Sequence, residues 1–277
     1  MSVAPRVLGI DVSSGGGLVG ARMAGLKVVG ALESNRKDIA CLLSNGIPCY
    51  VYEKPMDFTA VARTDIIFCC NRSDESMERL RLSCQALRPR VIVVEEWDKI
   101  PKRVVDGFIE YRDKLDWSSF GCPIDDARTY VVGFQEDMPP KCLFPFPDWT
   151  DKQVDAKPRL DSNPDPRLIL TEREANSIRK RHGRNSLKGF RFGPKHLVAG
   201  HKCPRIPKGF YLDRKYILVD GKEGLRKLST REVLRLMGMP EGWHLPDAIH
   251  NSYRLASTTS PPPVLKAIFE ELLVWIP

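Results

Sequence analysis

Short apolar runs alternate with helix-like stretches along the first half of the chain, and this alternation limits the possible folds more than any other feature. The runs are rich in Val and Ile, and a helix-like stretch separates each of the first three from the next. A helix between two strands favours parallel pairing, because a tight hairpin cannot join parallel strands. We therefore predict an α/β fold with a doubly wound, mostly parallel sheet, which binds ligands at the carboxyl ends of its strands. The predicted strands are residues 7–11, 27–33, 65–69, 91–95 and 129–134, and the predicted helices are residues 18–25, 37–45 and 77–87.

The remaining chain is organised by a proline-rich stretch. The 277 residues are enough for one large core and a smaller lobe. Seven prolines between residues 139 and 166 are typical of a stiff linker without a core of its own. We predict four segments, which are an α/β core (1–138), the linker (139–170), a small basic lobe (171–225) and C-terminal helices that return to the core (226–277).

Positive charge is concentrated in the basic lobe. The net charge of the chain is +8, whereas residues 171–215 contain 13 Lys and Arg against 3 Asp and Glu. Aromatic residues at 190, 192, 210 and 211 are interleaved with these charges. A basic lobe on a nearly neutral body predicts contact with phosphate backbones, and we predict double-stranded DNA as a partner; a solvated basic surface is the alternative. The candidate contacts are Arg179, Lys180, Arg181, Arg184, Lys188, Arg191, Lys195, Lys202, Arg205 and Lys208.

Several other classes of protein fit the chain poorly. The chain contains no run of about 18 apolar residues, so the sequence predicts no membrane span. The first residues lack the apolar stretch of a secretory leader. The eight cysteines have neither Cys-x-x-Cys spacing nor histidines at zinc-site distance, so we expect reduced thiols and no metal site. These features together predict an intracellular protein without a membrane partner.

Sequence motifs in the second half are more specific. Residues 226–240, RKLSTREVLRLMGMP, closely follow the pattern R-x-L-T-P-R-E-x-x-R-L-x-G-F-P. Residues 88–95 follow R-P-x-x-x-x-x-E, and residues 120–134 follow Y-G-V-P-Q-x-R-x-R and its strand. In this order and spacing, the motifs resemble the cytosine-C5 DNA methyltransferase family over nearly the whole chain. The resemblance implies the fold of S-adenosylmethionine-dependent methyltransferases, with the basic lobe in the place of the target-recognition region.

The nucleophile of that family is missing from this chain. Family members attack C6 of a flipped cytosine with the thiolate of a Pro-Cys-Gln loop, assisted by a Glu and by Arg side chains. Ser73 falls on the nucleophile position, and a serine hydroxyl is far less acidic than a thiol with a pKa of about 8.5. Glu95 and Arg128 match the Glu and one Arg, while Asp126 replaces the other Arg. Only 21 residues separate Ser73 from Glu95, so the loop that covers the base is also short.

The implied cofactor site is altered as well. Asp11 stands in the place of the family's Phe that stacks on the adenine of S-adenosylmethionine, and Ser13 replaces the first glycine of its loop. Loss of an aromatic stack removes about 1–3 kcal/mol of binding free energy. The resemblance therefore implies S-adenosylmethionine as the cofactor of a damaged site. The corresponding positions are Asp11, Ser13, Gly15, Gly16, Glu33, Glu53, Ser257 and Thr258.

Three functional hypotheses follow. The favoured one is a methyltransferase-like protein that has lost catalysis and binds nucleic acid or a partner protein, such as an active methyltransferase. The reason is that the nucleophile, the covering loop and the adenine stack are altered together. The second is a divergent but active methyltransferase acting on DNA, RNA or a nucleotide. The third is a structural or interaction protein of a viral or mobile-element assembly.

Overall fold

The protein is built around one large sheet. A computed structural model describes residues 4–53, 56–71, 73–96, 101–138, 144–147, 154–187, 195–197, 200–207, 209–210, 217–221 and 224–276. The sheet has seven strands in the order β3-β2-β1-β4-β5-β8-β6. These strands are β1 (Arg6–Ile10), β2 (Lys27–Glu33), β3 (Cys49–Val51), β4 (Ile66–Asn71), β5 (Val91–Glu96), β6 (Phe108–Asp116) and β8 (Ala127–Gln135).

The sheet is mostly parallel, which confirms the predicted fold class. Strands β1 to β5 all pair in parallel, whereas β8 runs antiparallel to β5 and to β6. Each of the five predicted strands is present. The sequence did not predict β6, because its run of charged residues lies at the edge of the sheet and lacks the apolar character of a buried strand.

Helices cover both faces of the sheet. Strand residues alternate between the two faces, so Phe68 packs against α1 (Gly16–Met23) and α7 (Pro262–Trp275) while its neighbours face α3 (Asp74–Leu87). Helices α1 and α7 approach closely at Gly20, where a Cβ atom would lie 2.7 Å from the Cβ atom of Leu265. The C-terminal helix is thus packed on the core beside the loop that follows β1. The remaining helices of this region are α2 (Arg36–Ser44), α5 (Thr230–Leu236) and α6 (Ile249–Ser257).

The basic lobe has its own small core. Helix α4 (Glu172–Leu187) buries Ala175 and Ile178 against Leu218 and Leu225 of a three-stranded sheet. The predicted cap of this helix is present, since Thr171 Oγ1 accepts the Glu174 N–H at 3.3 Å. The three strands are β9 (Lys195–Leu197), β11 (Ile217–Gly221) and β12 (Gly224–Lys227).

Two short strands join the lobe to the core. Strand β10 (Cys203–Pro204) pairs in parallel with β7 (Ile124–Asp125), and the Cys203 N–H donates to the Pro123 carbonyl at 2.7 Å. Cys203 is fully buried at this junction. The pairing fixes the chain of the lobe next to the strand that carries Arg128.

Within the described ranges, none of the helices is both long and apolar enough to cross a membrane. Those ranges also contain no group of three or more His, Cys, Asp or Glu side chains arranged to hold a metal ion.

Candidate functional site

The loop after β1 lies at the carboxyl ends of the parallel strands, the side of the sheet on which folds of this class bind their ligands. Asp11 and Ser13 have φ angles of 52° and 56°, in the left-handed region that non-glycine residues rarely adopt. The Ser13 N–H donates to Glu33 Oε1 at 2.9 Å, which ties the loop to the end of β2. We call this region, lined by Asp11, Ser13, Glu33 and Thr258, the cofactor cleft. Ser13 and Glu33 are buried, whereas Glu53 lies beyond the end of β3 and is exposed.

Hydroxyl groups connect this loop to the turn between α6 and α7. Ser13 Oγ lies 2.9 Å from Thr258 Oγ1, and Ser14 Oγ is hydrogen-bonded to Thr259 Oγ1. Gly15 precedes α1 and Gly16 opens it, and a Cβ atom on Gly16 would lie 2.0 Å from the Ser260 carbonyl oxygen. The two segments are therefore in direct contact across one side of the cleft. Ser257 Oγ donates instead to the Arg254 carbonyl of its own helix.

A side chain from α3 contacts the loop after β1 in this region. Arg79 makes a close ion pair with Asp11, and its guanidinium lies 5.0 Å from the centre of the Tyr52 ring. The side chains of Arg79 and Asp11 are only 13% and 9% exposed. A second contact joins Arg79 to Glu75 at 3.6 Å on the same helix. A cation between an acid and an aromatic face is held by charge and by the ring quadrupole together.

Glu95 lies at the centre of a second, fully buried cluster. The strand pairing places Cys70 opposite Glu95, and the Cys70 thiol donates to Glu95 Oε2 at 3.7 Å. The Ser260 hydroxyl donates to the same oxygen, and the Tyr130 hydroxyl donates to Glu95 Oε1 at 3.4 Å. All four side chains have no exposed surface. Burial, and then the nearby Glu95 carboxylate, raise the pKa of Tyr130 well above its usual value, so it remains a hydrogen-bond donor.

Arg128 joins this cluster to the lobe. Its Nε lies 3.9 Å from Glu95 Oε1, and its guanidinium lies 4.9 Å from the centre of the Trp117 ring. Asp126 lies between Arg128, at 3.5 Å, and Arg205 of the lobe, at 3.3 Å. Burial raises the pKa of Asp126, although both arginines oppose that shift. Asp126 thus forms an ion-pair network with one arginine of the core and one of the lobe.

Ser73 has a structural role in helix capping. It is the N-cap residue of α3, where its Oγ accepts the Ser76 N–H at 3.4 Å. Strand β4 ends at Asn71 and α3 begins at Asp74, so only two residues separate the strand from the helix. Ser73 is exposed, whereas Glu95 is fully buried. The hydroxyl at the nucleophile position is therefore engaged at the start of a helix.

The predicted nucleic-acid contacts have different environments. Lys180 and Lys195 are exposed, and Lys195 lines a cavity of about 460 Å³ together with Asp125, His201 and Lys202. The Lys202 ammonium donates to Ser118 Oγ at 2.5 Å, and Arg205 pairs with Asp126, so both connect the lobe to the core. Lys188, Arg191 and Lys208 lie outside the described residues, as do the side chains of Arg179, Arg181 and Arg184.

Sequence reasoning missed two residues that shape these sites. Ser260 lies two positions after the Ser257-Thr258 pair and had a detectable signal, because it ends a run of four hydroxyl residues at the cofactor motif. Arg79 had none, because it is one of two arginines on an amphipathic helix and is separated from Asp11 by 68 positions. The sequence assigned Cys70 to core packing, and its burial agrees with that, but it also contacts Glu95.

The protein has an α/β fold of the methyltransferase type. This follows from the order of the strands in the sheet, the position of the cofactor cleft and the pairing of Glu95 with Arg128. The C-5 cytosine-specific DNA methylase family matches residues 111–274, which is more than half of the chain. The protein therefore belongs to the C-5 cytosine-specific DNA methylase family. The match includes Arg128, Ser257 and Thr258, whereas Asp11, Glu33, Ser73 and Glu95 precede it.

Curated relatives agree with this assignment over part of their length. The type II methyltransferase M.NlaX of Neisseria lactamica is 28% identical over 171 residues, covering 60% of this chain and 53% of the relative. The type II methyltransferase M.DsaV of Dactylococcopsis salina is 26% identical over 162 residues, which cover 57% of this chain and 46% of the relative. The matched region thus spans about half the length of these curated relatives.

Solved structures match over the entire fold. The S. pombe Dnmt2 methyltransferase superposes with a TM-score of 0.73 at 14% identity, covering 98% of this chain and 99% of that one. A mutant of Spodoptera frugiperda DNMT2 gives a TM-score of 0.67 at 13% identity, and the match covers 98% of this chain and 100% of that one. At these identities the likeness concerns the fold alone.

The cofactor of this family, S-adenosylmethionine, is a poor fit for the residues in the cofactor cleft. The resemblance places an aromatic ring where this chain has the Asp11 carboxylate, which is paired with Arg79. One oxygen of Glu33 accepts the Ser13 N–H, and Glu33 is 2% exposed. The hydroxyl pairs from Ser13 and Ser14 to the α6–α7 turn close the adjoining side. A nucleoside would have to displace contacts that the chain makes with itself.

Proposed function

We propose that this protein is a cytosine-C5 methyltransferase fold that no longer transfers a methyl group and acts by binding nucleic acid. The family assignment supplies the fold, and family membership supports DNA as the class of nucleic acid. A regulatory or accessory role, including association with an active methyltransferase, is compatible with such a binding protein.

The environment of Glu95 is the observation that carries the proposal. In the family's reaction this carboxylate must face the flipped cytosine, so that it can reach N3 of the base. Here Glu95 is completely buried, and the hydroxyls of Ser260 and Tyr130 donate to its two oxygens. Hydrogen bonds to an ionised, buried carboxylate are strong and costly to break. The carboxylate therefore works as an acceptor within the core.

The position of Ser73 supports the same conclusion. Its hydroxyl caps α3, and the family's long mobile loop has no counterpart in the two-residue connection between β4 and α3. If only the nucleophilic thiol were missing, the single substitution Ser73→Cys would restore the catalytic site. Here the loop that brings the nucleophile to the base is replaced by the first turn of a helix.

Exposed cations on the basic lobe support nucleic-acid binding. Arg173 and Lys180 are seven positions apart on α4, which places them on one face of the helix. Ala175 and Ile178, on the opposite face, are buried in the lobe. The basic face of α4 is therefore directed to solvent, where it is accessible to a phosphate backbone.

The proposal is tested by measuring two quantities on the same protein. Fluorescence anisotropy with labelled duplex DNA at several salt concentrations should show binding that weakens as salt rises. Transfer of labelled methyl groups from S-adenosylmethionine to DNA, tRNA or nucleotides should not exceed that of a boiled sample. The Ser73→Cys variant should also be inactive, because the thiol would cap a helix.

Charge-reversal variants connect the DNA binding to the lobe. Arg173→Glu with Lys180→Glu should weaken DNA binding and lower the salt slope by about 1 for each phosphate group that the lobe no longer binds. Lys27→Glu with Arg36→Glu makes the same charge change at two exposed positions outside the lobe, at the start of β2 and of α2, and should leave the affinity almost unchanged. Absence of DNA binding at low salt, or methyl transfer by the wild-type protein, would contradict the proposal.

A divergent methyltransferase is the second candidate, and the position of Cys70 favours it. This thiol lies 3.7 Å from Glu95, so a thiol and the family's carboxylate are adjacent, although on neighbouring strands. Labelled methyl transfer that is lost in Cys70→Ser, but retained in Cys84→Ser, would support this candidate over the first. Cys84 is a buried thiol on α3, where burial raises its pKa to about 12.

A further inference from the structure

We infer that Arg79 occupies the cofactor cleft as an internal substitute for a ligand and thereby closes the cleft to S-adenosylmethionine and its demethylated product. The inference rests on the proposed function, because it explains how a cofactor site persists without a cofactor. It concerns a residue outside the motifs of the family, on the helix that begins after Ser73.

The contacts of Arg79 are those that a bound cation would make. Its guanidinium pairs with Asp11 and lies over the Tyr52 ring, at the carboxyl end of the sheet where ligands of this fold bind. Tyr52 is 8% exposed and Asp11 is 7% exposed, so Arg79 shields both from water. An aromatic face that would be suited to stack on an adenine ring is covered by a side chain of the same protein.

Asp11 explains why Arg79 is held there. Within the described part of the chain, Asp11 Oδ2 is buried and has no hydrogen-bond partner, so the carboxylate depends on the pairing of its other oxygen with Arg79. A buried, unpaired carboxylate is strongly unfavourable. A ligand that displaced Arg79 without bringing a positive charge to Asp11 would leave that carboxylate uncompensated. The burial of the Asp11 carboxylate therefore depends on its ion pair with Arg79.

Closure of the cleft lowers the apparent affinity for a nucleoside ligand. A ligand that binds only the open form has its affinity reduced by the fraction of molecules in which Arg79 has left the cleft. The double variant Asp11→Asn with Arg79→Ala removes both members of the pair, so neither position keeps a charge without its partner. Asn tolerates the positive φ of position 11, so the loop after β1 keeps its backbone conformation.

Isothermal titration calorimetry with S-adenosylhomocysteine tests the inference without relying on activity. The wild-type protein should give no saturable heat, whereas the double variant should saturate, with a Kd at least about tenfold below the highest ligand concentration used for the wild type. Arg81→Ala is the matched control, because Arg81 lies on the same helix but donates to the Val104 carbonyl at 3.0 Å, and it should behave like the wild type.

Two results would overturn the inference. One is wild-type binding as tight as that of the double variant. The other is the absence of binding in a double variant whose circular dichroism and thermal unfolding match those of the wild type. If the double variant does not fold, Arg79→Lys keeps a charge near Asp11 but loses the planar stacking on Tyr52. A folded Arg79→Lys protein should then show a smaller gain in affinity, and no gain would equally overturn the inference.

These outcomes are separable from those of the proposed function. If the wild-type protein bound S-adenosylhomocysteine, the inference about Arg79 would be wrong. The proposed function, which is DNA binding without methyl transfer, would be unaffected. Failure of DNA binding would remove the proposed function, while the titration could still give the expected difference between wild type and variant.

Discussion

The two halves of the protein differ in how far they match the methylase family. Residues 111–274 match the methylase family, whereas the first half, with the cofactor loop, the nucleophile position and Glu95, lies outside the match. Both halves nevertheless contribute strands to one sheet, in which β5 of the first half pairs with β8 of the second. The first half therefore shares the architecture of the sheet, although the family match does not extend to its strand-end side chains.

The difference shows that a fold and a site place separate demands on a sequence. Burial of alternating apolar residues sets the strands, and many combinations of residues satisfy it. A catalytic site requires particular side chains at a few strand ends. Asp11 and Ser73, which we propose stand in place of the family's aromatic ring and nucleophile, occupy a strand-end loop and a helix cap without disrupting the sheet.

The largest effect is expected in the second half, at the buried pair of Arg226 and Glu232. Glu232 is fully buried, accepts from Arg226 NH2 at 2.7 Å and completes the capping box with Ser229. Glu232→Ala should lower the free energy of unfolding by about 3–5 kcal/mol, because it leaves the arginine buried and unpaired. Urea denaturation measures the loss.

The matched control for this prediction is Glu241→Ala. Glu241 pairs with Arg235 at 2.6 Å but is 66% exposed, so its loss should change stability by less than about 1 kcal/mol. Equal effects of the two variants would show that the family motif of the second half is not the stabilising feature we take it to be.

A smaller effect is expected at Glu95. In an enzyme, Glu95→Gln would mainly reduce catalysis, but here it should lower the free energy of unfolding by about 1–3 kcal/mol. The reason is that the amide group of Gln meets the donors of Ser260, Tyr130 and Cys70, and one of its ends cannot accept. Urea denaturation measures this change too.

Glu96→Gln is the control for the Glu95 variant. Glu96 is the next residue on β5 and is partly exposed, so its stability should change by less than about 0.5 kcal/mol. An unchanged stability for Glu95→Gln, together with a measurable methyl transfer that it abolishes, would place Glu95 in catalysis and remove the distinction between the halves.

The smallest effect is a pH dependence at Asp126. Burial raises its pKa in the folded protein above the ordinary value of 3.8. The native state thus binds this proton more tightly than the unfolded chain, so Asp126 favours folding below pH 3.8, and this contribution is lost as pH rises through the native pKa. A tenfold difference in proton affinity between the native and unfolded states corresponds to about 1.4 kcal/mol.

Comparison with Asp126→Asn isolates this contribution. The variant should lose less stability than the wild type over that pH range, as measured by urea denaturation at a series of pH values. Asp125→Asn, at the exposed neighbouring position, should follow the wild-type curve. A wild-type curve parallel to that of Asp126→Asn would contradict the burial effect.

Most of the fold could be predicted from the sequence because it depends on local periodicity. The five apolar runs, the helices between them and the cap at Thr171 were all readable as patterns. Strand β6 was not, since a charged edge strand lacks a clear burial pattern. The family and the positions of Glu95 and Arg128 came from motifs, which are also local.

The sequence by itself thus determined the α/β class, the family and the positions at which family chemistry would be expected. Only the tertiary structure decided what those positions do. Arg79 reaches Asp11 across 68 positions, and Ser260 reaches Glu95 across 165. The physical reason is that such contacts depend on strand order and on the rotation of each helix about its axis, which no local pattern specifies.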